Sequence, residues 1–419
     1  MPYPTRPVTL AVVGAGNRGQ AYADWTLQHP EAARVVAVAE PDPARRERFA
    51  ASHGLGPDAT AADWRELFDR PRVADAVIIA TQDRLHTEPA VAFARAGYDV
   101  LLEKPLAPTL DECEQVAEAA RAGGGIVAAC HVLLYTPHTA ALREVLASGR
   151  IGEIASIQHL EPVGYWHQAH SFVRGNWRRR DESAFMLLAK SCHDIDWLQH
   201  IVGRPIRRVS SFGGRFHFGP EHAPVGAAER CVDCRLQDSC EYSAVHIYGD
   251  RLSAGDDGWP VSVVVDPATP ASLAEALRTG PYGRCVYHCD NDVVDHQVVS
   301  LEFDGGASGV FTMTGFTEYA YRQTRIFGTH GELTTDGRFI DIVEFAGDRR
   351  ERIDVEAVGD ATAGGGHGGG DEGLMAAFSH AVATRDTSGL YSGIEASLAS
   401  HRAVFAAERA RLESAVIGL

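Results

Sequence analysis

Residues 8–19 read Val8-Thr9-Leu10-Ala11-Val12-Val13-Gly14-Ala15-Gly16-Asn17-Arg18-Gly19, an apolar run that ends in a G-x-G-x-x-G string and leads into a helical pattern. A strand this apolar is buried on both faces, which predicts a parallel sheet. The glycines suit a tight turn whose backbone approaches a pyrophosphate, the anion then resting on the N-terminus of the following helix. Glu40 ends the next apolar run, 35–39, about twenty residues beyond Gly19. A carboxylate there accepts hydrogen bonds from adenosine ribose hydroxyls, so the spacing favours NAD over NADP. Arg45 and Arg46 follow closely and are the residues that would meet a 2′-phosphate instead. Gly14, Gly16, Asn17, Arg18, Gly19 and Glu40 are therefore the expected dinucleotide contacts.

Outward from this string the texture persists. Apolar runs at 76–80, 100–102 and 126–129 alternate with helical patterns at 21–28, 44–52, 89–96 and 110–122. Strand–helix alternation implies right-handed crossovers and a doubly wound sheet, here expected to be one domain over 1–130. After a helix at 138–147 the pattern changes. Runs at 154–160, 206–212, 298–303, 309–314, 324–327 and 340–345 read as strands of a meander with one wetter face. The fold class expected is thus α/β: a Rossmann domain followed by a second α/β domain, 131–419, built on a large, mainly antiparallel open sheet. A stretch rich in Cys, Gly, Pro and Asp, 216–281, and a glycine run, 363–370, interrupt it, and helical patterns at 372–383 and 394–412 close the chain.

Composition sets limits on partners. At 419 residues, 45% apolar and 23% charged, the chain matches a folded protein of two or three domains and excludes a disordered, collagen-like or coiled-coil one. Its 39 basic against 56 acidic residues give a net charge of −17, a field that repels phosphate backbones and anionic membranes. No nucleic-acid partner is expected. No apolar run has membrane-spanning length, and the apolar stretch after Pro2, Pro4, Arg6 and Pro7 is too short for a signal peptide, so the cytoplasm is the expected location. Eight cysteines are too few for a disulfide scaffold. Cys113, Cys130 and Cys192 stand alone in apolar patterns and read as buried thiols.

A second string is more discriminating. The run 76–81 ends at Thr81 and leads to His86, and the next strand ends Leu101-Leu102-Glu103-Lys104-Pro105-Leu106. With this EKPL string the chain resembles the glucose-fructose oxidoreductase, inositol dehydrogenase and MocA family (Gfo/Idh/MocA), and the "SGRIGEI" stretch at 148–154 extends the likeness into the second domain. The resemblance implies that Thr81, His86, Glu103 and Lys104 lie at the cofactor and that Lys104 reaches nicotinamide and substrate. An ammonium there polarises the reacting hydroxyl or takes its proton, and burial beside NAD⁺ lowers its pKa toward that use. It further implies a homodimer or homotetramer paired through the wide sheet.

That family carries an Asp, three spacers and a His at the start of a helix. Here the matching string is Ala189-Lys190-Ser191-Cys192-His193-Asp194-Ile195-Asp196, which keeps His193 but places Ala189 at the aspartate position, with Lys190 beside it. His193 suits a general base, since histidine titrates near neutrality. Lys190 either tunes it or holds an anionic group, and Asp194 joins the expected substrate wall. Ahead lies 165–180, YWHQAHSFVRGNWRRR, whose aromatic planes, histidines and forked guanidiniums suit a polar ring with an acidic substituent. His167, His170, Arg174, Trp177 and Arg178 are the expected contacts, with Arg179 and Arg180 equally readable as pairs of acidic neighbours. His131, Tyr135 and His138, after the last strand of the first domain, are expected to line the same cleft. His296, in 290–297 with Asn291 and Asp295, and His367, in the glycine run, complete the list; turn chemistry and a plain linker are the alternatives.

Cys231-x2-Cys234-x5-Cys240 supplies three thiolates, and Cys289 or Cys285 completes a four-sulfur set. A structural zinc is the expected occupant. Spacing alone does not separate it from an iron–sulfur cluster or from free thiols.

Three functions follow. The first is an NAD-dependent oxidoreductase acting on a secondary hydroxyl of a sugar, cyclitol or derivative, with His193 or Lys190 as base and Lys104 stabilising the alkoxide. The second is a redox-neutral glycoside hydrolase that oxidises, eliminates, hydrates and reduces, with NAD recycled. The third is a non-catalytic nucleotide sensor, against which the presence of Lys104 and His193 weighs.

Overall fold

The structure, a computed structural model, describes residues 6–356 and 367–419. Strands β1 (Val8–Val13), β2 (Ala33–Ala39), β3 (Thr60–Ala61), β4 (Ala76–Ile79), β5 (Asp99–Leu102) and β6 (Val127–Ala129) form a parallel sheet in the order β3-β2-β1-β4-β5-β6. Every residue of β4 and β5 is buried, which is why 76–79 and 100–102 are unbroken apolar runs. The strand order reverses between β1 and β4, where the carboxyl ends of the strands leave a crevice. Helix α1 (Asn17–Gln28) begins there. Only β3, a two-residue edge strand, carried too little pattern to be read from the sequence.

The second sheet has nine strands: β7 (Ile154–Pro162), β8 (Ile206–Gly214), β9 (His296–Phe303), β10 (Ser308–Thr314), β11 (Gln323–Gly328), β12 (Gly331–Thr335), β13 (Phe339–Glu344), β14 (Arg349–Asp354) and β15 (Ile417–Gly418). Their order is β14-β13-β12-β11-β7-β10-β9-β8-β15. It is not the simple meander expected, because β10 runs parallel to β7 while the other pairs are antiparallel. Three strands escaped the pattern. β14, RRERID, is an edge strand with nearly every side chain in water, and its register is supported by charge pairs such as Arg352 to Asp341 at 2.6 Å.

Helix α2 (Met186–Val202) packs on this sheet, Leu187, Leu188 and Leu198 sharing a core with Val299 and Phe311. Helices α3 (Gly370–Thr384) and α4 (Ile394–Glu413) come last in the chain yet reach back to the first sheet. Leu374, Met375 and Phe378 of α3 are buried with Leu10, Ala76 and Leu101, while α4 puts Leu398 against the opposite face of that sheet and Val404 into the second core. The amphipathic C-terminal segments thus fasten the two sheets together. Between β8 and β9 the Cys-rich stretch forms a lobe of short helices, Ala244–Ser253, Val261–Val264 and Pro270–Thr279, around its own apolar centre of Phe218, Tyr248, Leu273 and Leu277. No helix among the described residues is long and apolar enough to cross a membrane. Residues 363–366 of the glycine run lie outside the described residues.

Candidate active site

The glycine turn shows what each glycine is for. Gly14 has φ +91°, and a Cβ there would sit 2.7 Å from the Ala80 carbonyl oxygen; one on Gly19 would sit 1.9 Å from the Gly14 oxygen. Both are required by packing. Gly16 has ordinary backbone angles and no protein atom within 4 Å of its would-be Cβ, so the space above it is open to a ligand. No side chain caps α1, which leaves its first amides for an anion. The Glu40 carboxylate accepts from the Ala15 N–H (2.8 Å) and the Asp42 N–H (3.0 Å) and pairs with Arg45 (3.2 Å), while Arg46 donates to the Glu40 carbonyl. Both arginines are gathered onto Glu40. These residues fit a dinucleotide: anion-binding amides at the turn, clearance over Gly16, and a carboxylate at the far end of β2.

At the ends of β4 and β5, His86 is fully buried and its ring bridges the Pro105 carbonyl (2.7 Å) and the Thr81 carbonyl (3.1 Å). It locks the two strand ends together from behind the crevice. Glu103 accepts from Arg18 Nε (2.8 Å), Tyr22 Oη (2.8 Å) and the Lys104 amide (2.7 Å). Burial pushes its carboxyl up, but the Arg18 guanidinium and the Lys104 ammonium outweigh this and hold it below the usual range. Arg18 also pairs with Asp371 at the start of α3 (2.9 Å), so the glycine turn, the EKPL strand and the C-terminal region share one charge network. The Lys104–Pro105 peptide bond is cis.

From this floor Lys104 Nζ donates to the Ala189 carbonyl across the crevice at 2.7 Å. The partner that position 189 offers Lys104 is therefore a main-chain oxygen of α2, not a carboxylate. Its neighbour Lys190 pairs with Glu161 of β7 at 2.8 Å, and burial holds its pKa below the ordinary lysine value although Glu161 opposes the shift. One turn on, His193 Nε2 lies 3.1 Å from Arg322 Nη2; since a guanidinium only donates, Nε2 is the acceptor and Nδ1 carries the hydrogen. Nδ1 is buried without a hydrogen-bond partner among the described residues. Burial, together with the charges of Arg322, Lys104 and Lys190, pushes His193 well below its usual pKa and keeps it neutral. Arg322 Nε reaches Asp194 (2.5 Å) and Glu161 (2.9 Å), and His159 donates to Asp194 at 3.3 Å. α2 begins at Met186, so His193 sits two turns inside the helix rather than at its start.

These walls enclose a cleft of about 970 Å³ lined by Arg18, Thr81, Glu103, Lys104, His167, Trp177, Lys190, His193 and His367 of the residues expected from the sequence. It is also lined by Asp83, Phe172, Trp259, Tyr319 and Arg322, which sequence reasoning did not select. Asp83 fixes Trp177, accepting its indole N–H at 3.1 Å. Trp259 comes from the Cys-rich lobe and meets His167 edge-on, 5.0 Å between ring centres. A lone Trp-Pro in a polar insert carries no signal of such a position. His367 pairs with Asp371 at 3.1 Å.

Other expected substrate contacts lie elsewhere. His131 is buried near His401 and Asp196, its pKa pushed down to about 3 by burial and Lys104. The Tyr135 hydroxyl bonds Ser392 Oγ at 2.8 Å, tying the stretch after β6 to the C-terminal segment. His138 meets Thr335. His170 and Arg174 belong to a wide helical segment, Gln168–Arg174, buried along its whole length. His170 bonds Tyr248 (2.9 Å) and stacks on Tyr282, and Arg174 donates to the Arg284 and Tyr242 carbonyls, both at 2.7 Å, inside the lobe. Arg178 pairs with Asp290 and Glu182, Arg179 with Asp181, and Arg180 with Glu408. Asp194 sits behind His193 as the partner of Arg322. His296 bonds Asp295 and faces Phe216 at the open end of β9, while the Asn291 amide donates to the Phe218 carbonyl. Aromatic-plus-arginine composition pointed to a ligand; here much of it builds the seam between sheet and lobe.

The expected zinc cage also needs correction. The Cys289 thiol donates to the Cys285 carbonyl at 3.2 Å, and it is Cys285 that lines a pocket together with Cys231, Cys234 and Cys240. Among the described residues no three His, Cys, Asp or Glu side chains converge closely enough to hold one metal ion.

Asp196, also on α2, offers a stability test. Burial pushes its carboxyl up to about 7 against a hydrogen bond from Ser400. With a folded pKa above the unfolded value of about 3.9, the native state binds the extra proton, so stability falls as pH rises from about 4 to 7. Asp196→Asn is expected to gain up to about 4 kcal/mol over the unsubstituted protein at pH 8 and much less at pH 4, read from urea midpoints.

Comparisons with known proteins agree with this architecture. Residues 8–131 match the model of the Gfo/Idh/MocA oxidoreductase family's NAD-binding Rossmann fold, and residues 143–411 match that of its C-terminal alpha/beta domain. A 2,7-anhydro-N-acetylneuraminate hydratase of Mediterraneibacter gnavus is 28% identical over 64% of this chain and 67% of its own length. The scyllo-inositol 2-dehydrogenase (NAD(+)) of Bacillus subtilis is 27% identical over 66% of this chain and 69% of its own. The chain spans about half to two thirds of the length of the curated relatives it matches. In three dimensions it resembles levoglucosan dehydrogenase in complex with NADH (TM-score 0.70, 19% identity, 99% of each chain covered) and an inositol dehydrogenase homolog from Azotobacter vinelandii complexed with NADH and myo-inositol (TM-score 0.67, 18% identity, 99% and 98% covered). With both family models matched over most of its length, a reversing parallel sheet and the EKPL strand end, this chain belongs to the Gfo/Idh/MocA oxidoreductase family.

Proposed function

We propose that this protein is an NAD-dependent oxidoreductase acting on a secondary hydroxyl of a sugar, cyclitol or sugar derivative. The observation that carries the reading is the cleft itself, in which Lys104 at the end of β5 and His193 on α2 face one enclosed space beside the glycine turn. Bound across that turn, NAD⁺ supplies a hydride acceptor. Substrate entry exchanges the hydrogen bond of Arg322 at His193 Nε2 for that of the reacting hydroxyl, whose proton Nε2 takes. One ammonium hydrogen of Lys104 is held by Ala189, and the remaining two stabilise the developing alkoxide. Trp177, Trp259 and Phe172 give the ring apolar walls and exclude water. Glu40 at the far end of β2, which keeps Arg45 on its carboxylate and Arg46 on its carbonyl, supports NAD over NADP. The division at 130/131, a dimer or tetramer through the nine-stranded sheet and a cytoplasmic setting belong to the same proposal.

One feature favours a second reading, redox-neutral cleavage of an anionic glycoside on the same residues. Lys190 and Arg322 put two buried cations at the wall where the family's aspartate is missing, and two curated relatives are hydratases of an anhydro sialic acid. A panel of neutral and acidic polyols and glycosides separates the two. NADH equal to product supports the dehydrogenase, and aglycone released without net NADH supports the hydrolase. Turnover of neither kind, with NAD bound, would leave a nucleotide sensor.

Two further outcomes are expected. Gly16→Val, whose new Cβ has no protein atom within 4 Å, is expected to keep the Tm within about 2 °C and to weaken NAD binding by at least about 100-fold in calorimetry. The acid limb of the kcat/KM profile is expected below about pH 6.5, because burial lowers the pKa of His193 and the neutral base persists into the acid range.

A further inference from the structure

Arg174 is an anomaly away from the cleft. It is 1% exposed, pairs with no carboxylate among the described residues, and leaves Nη1 buried with no hydrogen-bond partner. Its other donors go to two carbonyls and, at 3.5 Å, to Cys231 Sγ. A buried guanidinium left with neutral partners is costly, because its desolvation goes uncompensated. The pocket it lines is also lined by Cys231, Cys234, Cys240 and Cys285 and by Leu236, Val286 and Tyr287. Four soft donors and one buried cation thus surround an apolar space.

We infer that Cys231, Cys234, Cys240 and Cys285 ligate an iron–sulfur cluster whose negative charge Arg174 balances. A single zinc draws its sulfurs to about 2.3 Å. The four cysteines line one pocket, yet among the described residues no three ligating side chains converge on a point, which suits a centre with several atoms of its own. A four-thiolate cluster is anionic, and this accounts for a cation with no carboxylate beside it. The apolar walls keep water from the sulfurs. A preformed cluster, carried with four terminal thiolates of the thiol reductant, enters by ligand exchange: four iron–sulfur bonds form to the cysteines as the four iron–thiolate bonds of the carrier break, the four cysteine protons pass to the departing thiolates, and no electron is transferred. The cluster's role is to fasten the lobe that carries Trp259 into the cleft.

The test is iron and acid-labile sulfide analysis of the full chain purified without oxygen, or reconstituted with ferric iron, sulfide and a thiol reductant. Expected are equal amounts of iron and sulfide, about two or about four of each per chain. Cys234→Ser and Cys285→Ser should lose both, while Cys289→Ser, whose thiol faces a carbonyl, should retain them. Circular dichroism shows which variants fold, and the analysis of the unsubstituted chain stands without them. A reconstituted chain with no iron or sulfide, one zinc per chain in place of iron, or a cluster that survives Cys285→Ser but not Cys289→Ser would overturn the assignment.

Discussion

Lys104→Met is expected to lower kcat by about 10²–10⁴-fold while leaving the fold and NAD affinity nearly unchanged. Methionine keeps the length and apolar stem of lysine and removes only the ammonium. The Ala189 carbonyl loses a donor at a half-buried position, a modest cost, whereas the reacting hydroxyl loses the only lysine or arginine in the cleft that is not committed to a carboxylate among the described residues. Arg18, Lys190 and Arg322 are each paired with Glu103 and Asp371, Glu161, or Asp194 and Glu161. Loss of turnover with NAD still bound, measured by steady-state kinetics beside calorimetry, is the expected pattern. Full turnover in this variant would remove Lys104 from the chemistry.

Arg322→Met carries the largest expected effect on stability, a loss of about 3–5 kcal/mol. Arg322 is nearly enclosed, and burial, which would lower its pKa, is overcome by Asp194 and Glu161, which hold it raised. Asp194 is fully buried, and burial by itself would push its carboxyl up; Arg322 first, then His159 and His193, hold it well below the usual range. Removing the guanidinium leaves Asp194 with His159 and leaves Glu161 with Lys190 alone. The sign is explicit. The folded pKa of Asp194 lies below its unfolded value, so the contribution is present above about pH 4 and is lost as pH falls further. The deficit of the variant, read from urea midpoints, should therefore be full at pH 7 and shrink in acid. Because Arg322 also holds His193 Nε2, kcat/KM should fall as well.

How much of this was legible in the sequence depended on whether position followed from local pattern. Residues 10–13, 76–79 and 100–102 of β1, β4 and β5 are buried on both faces and so appear as unbroken apolar runs; Gly14 and Gly19 are fixed by contacts no side chain can share. Residues 206–212 and 298–303 were equally readable as strands, but their neighbours were not, because the parallel pairing of β10 with β7 joins segments about 150 residues apart. β14 was invisible because an edge strand in water needs no apolar face. At the site, Lys104 and His193 stand in strings with their own signature. Arg322 sits in a loop, YAYRQTR, with no periodicity, and only the approach of β7 to α2 makes it a partner of Asp194. The same limit explains Arg174 and His170. Arginine and aromatic residues near a cleft look alike in sequence whether they face a ligand or a buried seam.

The most direct test of the account is a crystal structure of the full chain with NAD⁺. The pyrophosphate is predicted to lie over Gly16 on the first amides of α1, with the nicotinamide in the cleft between Lys104 and His193. A dinucleotide bound elsewhere, or one whose nicotinamide turns away from Lys104, would contradict it.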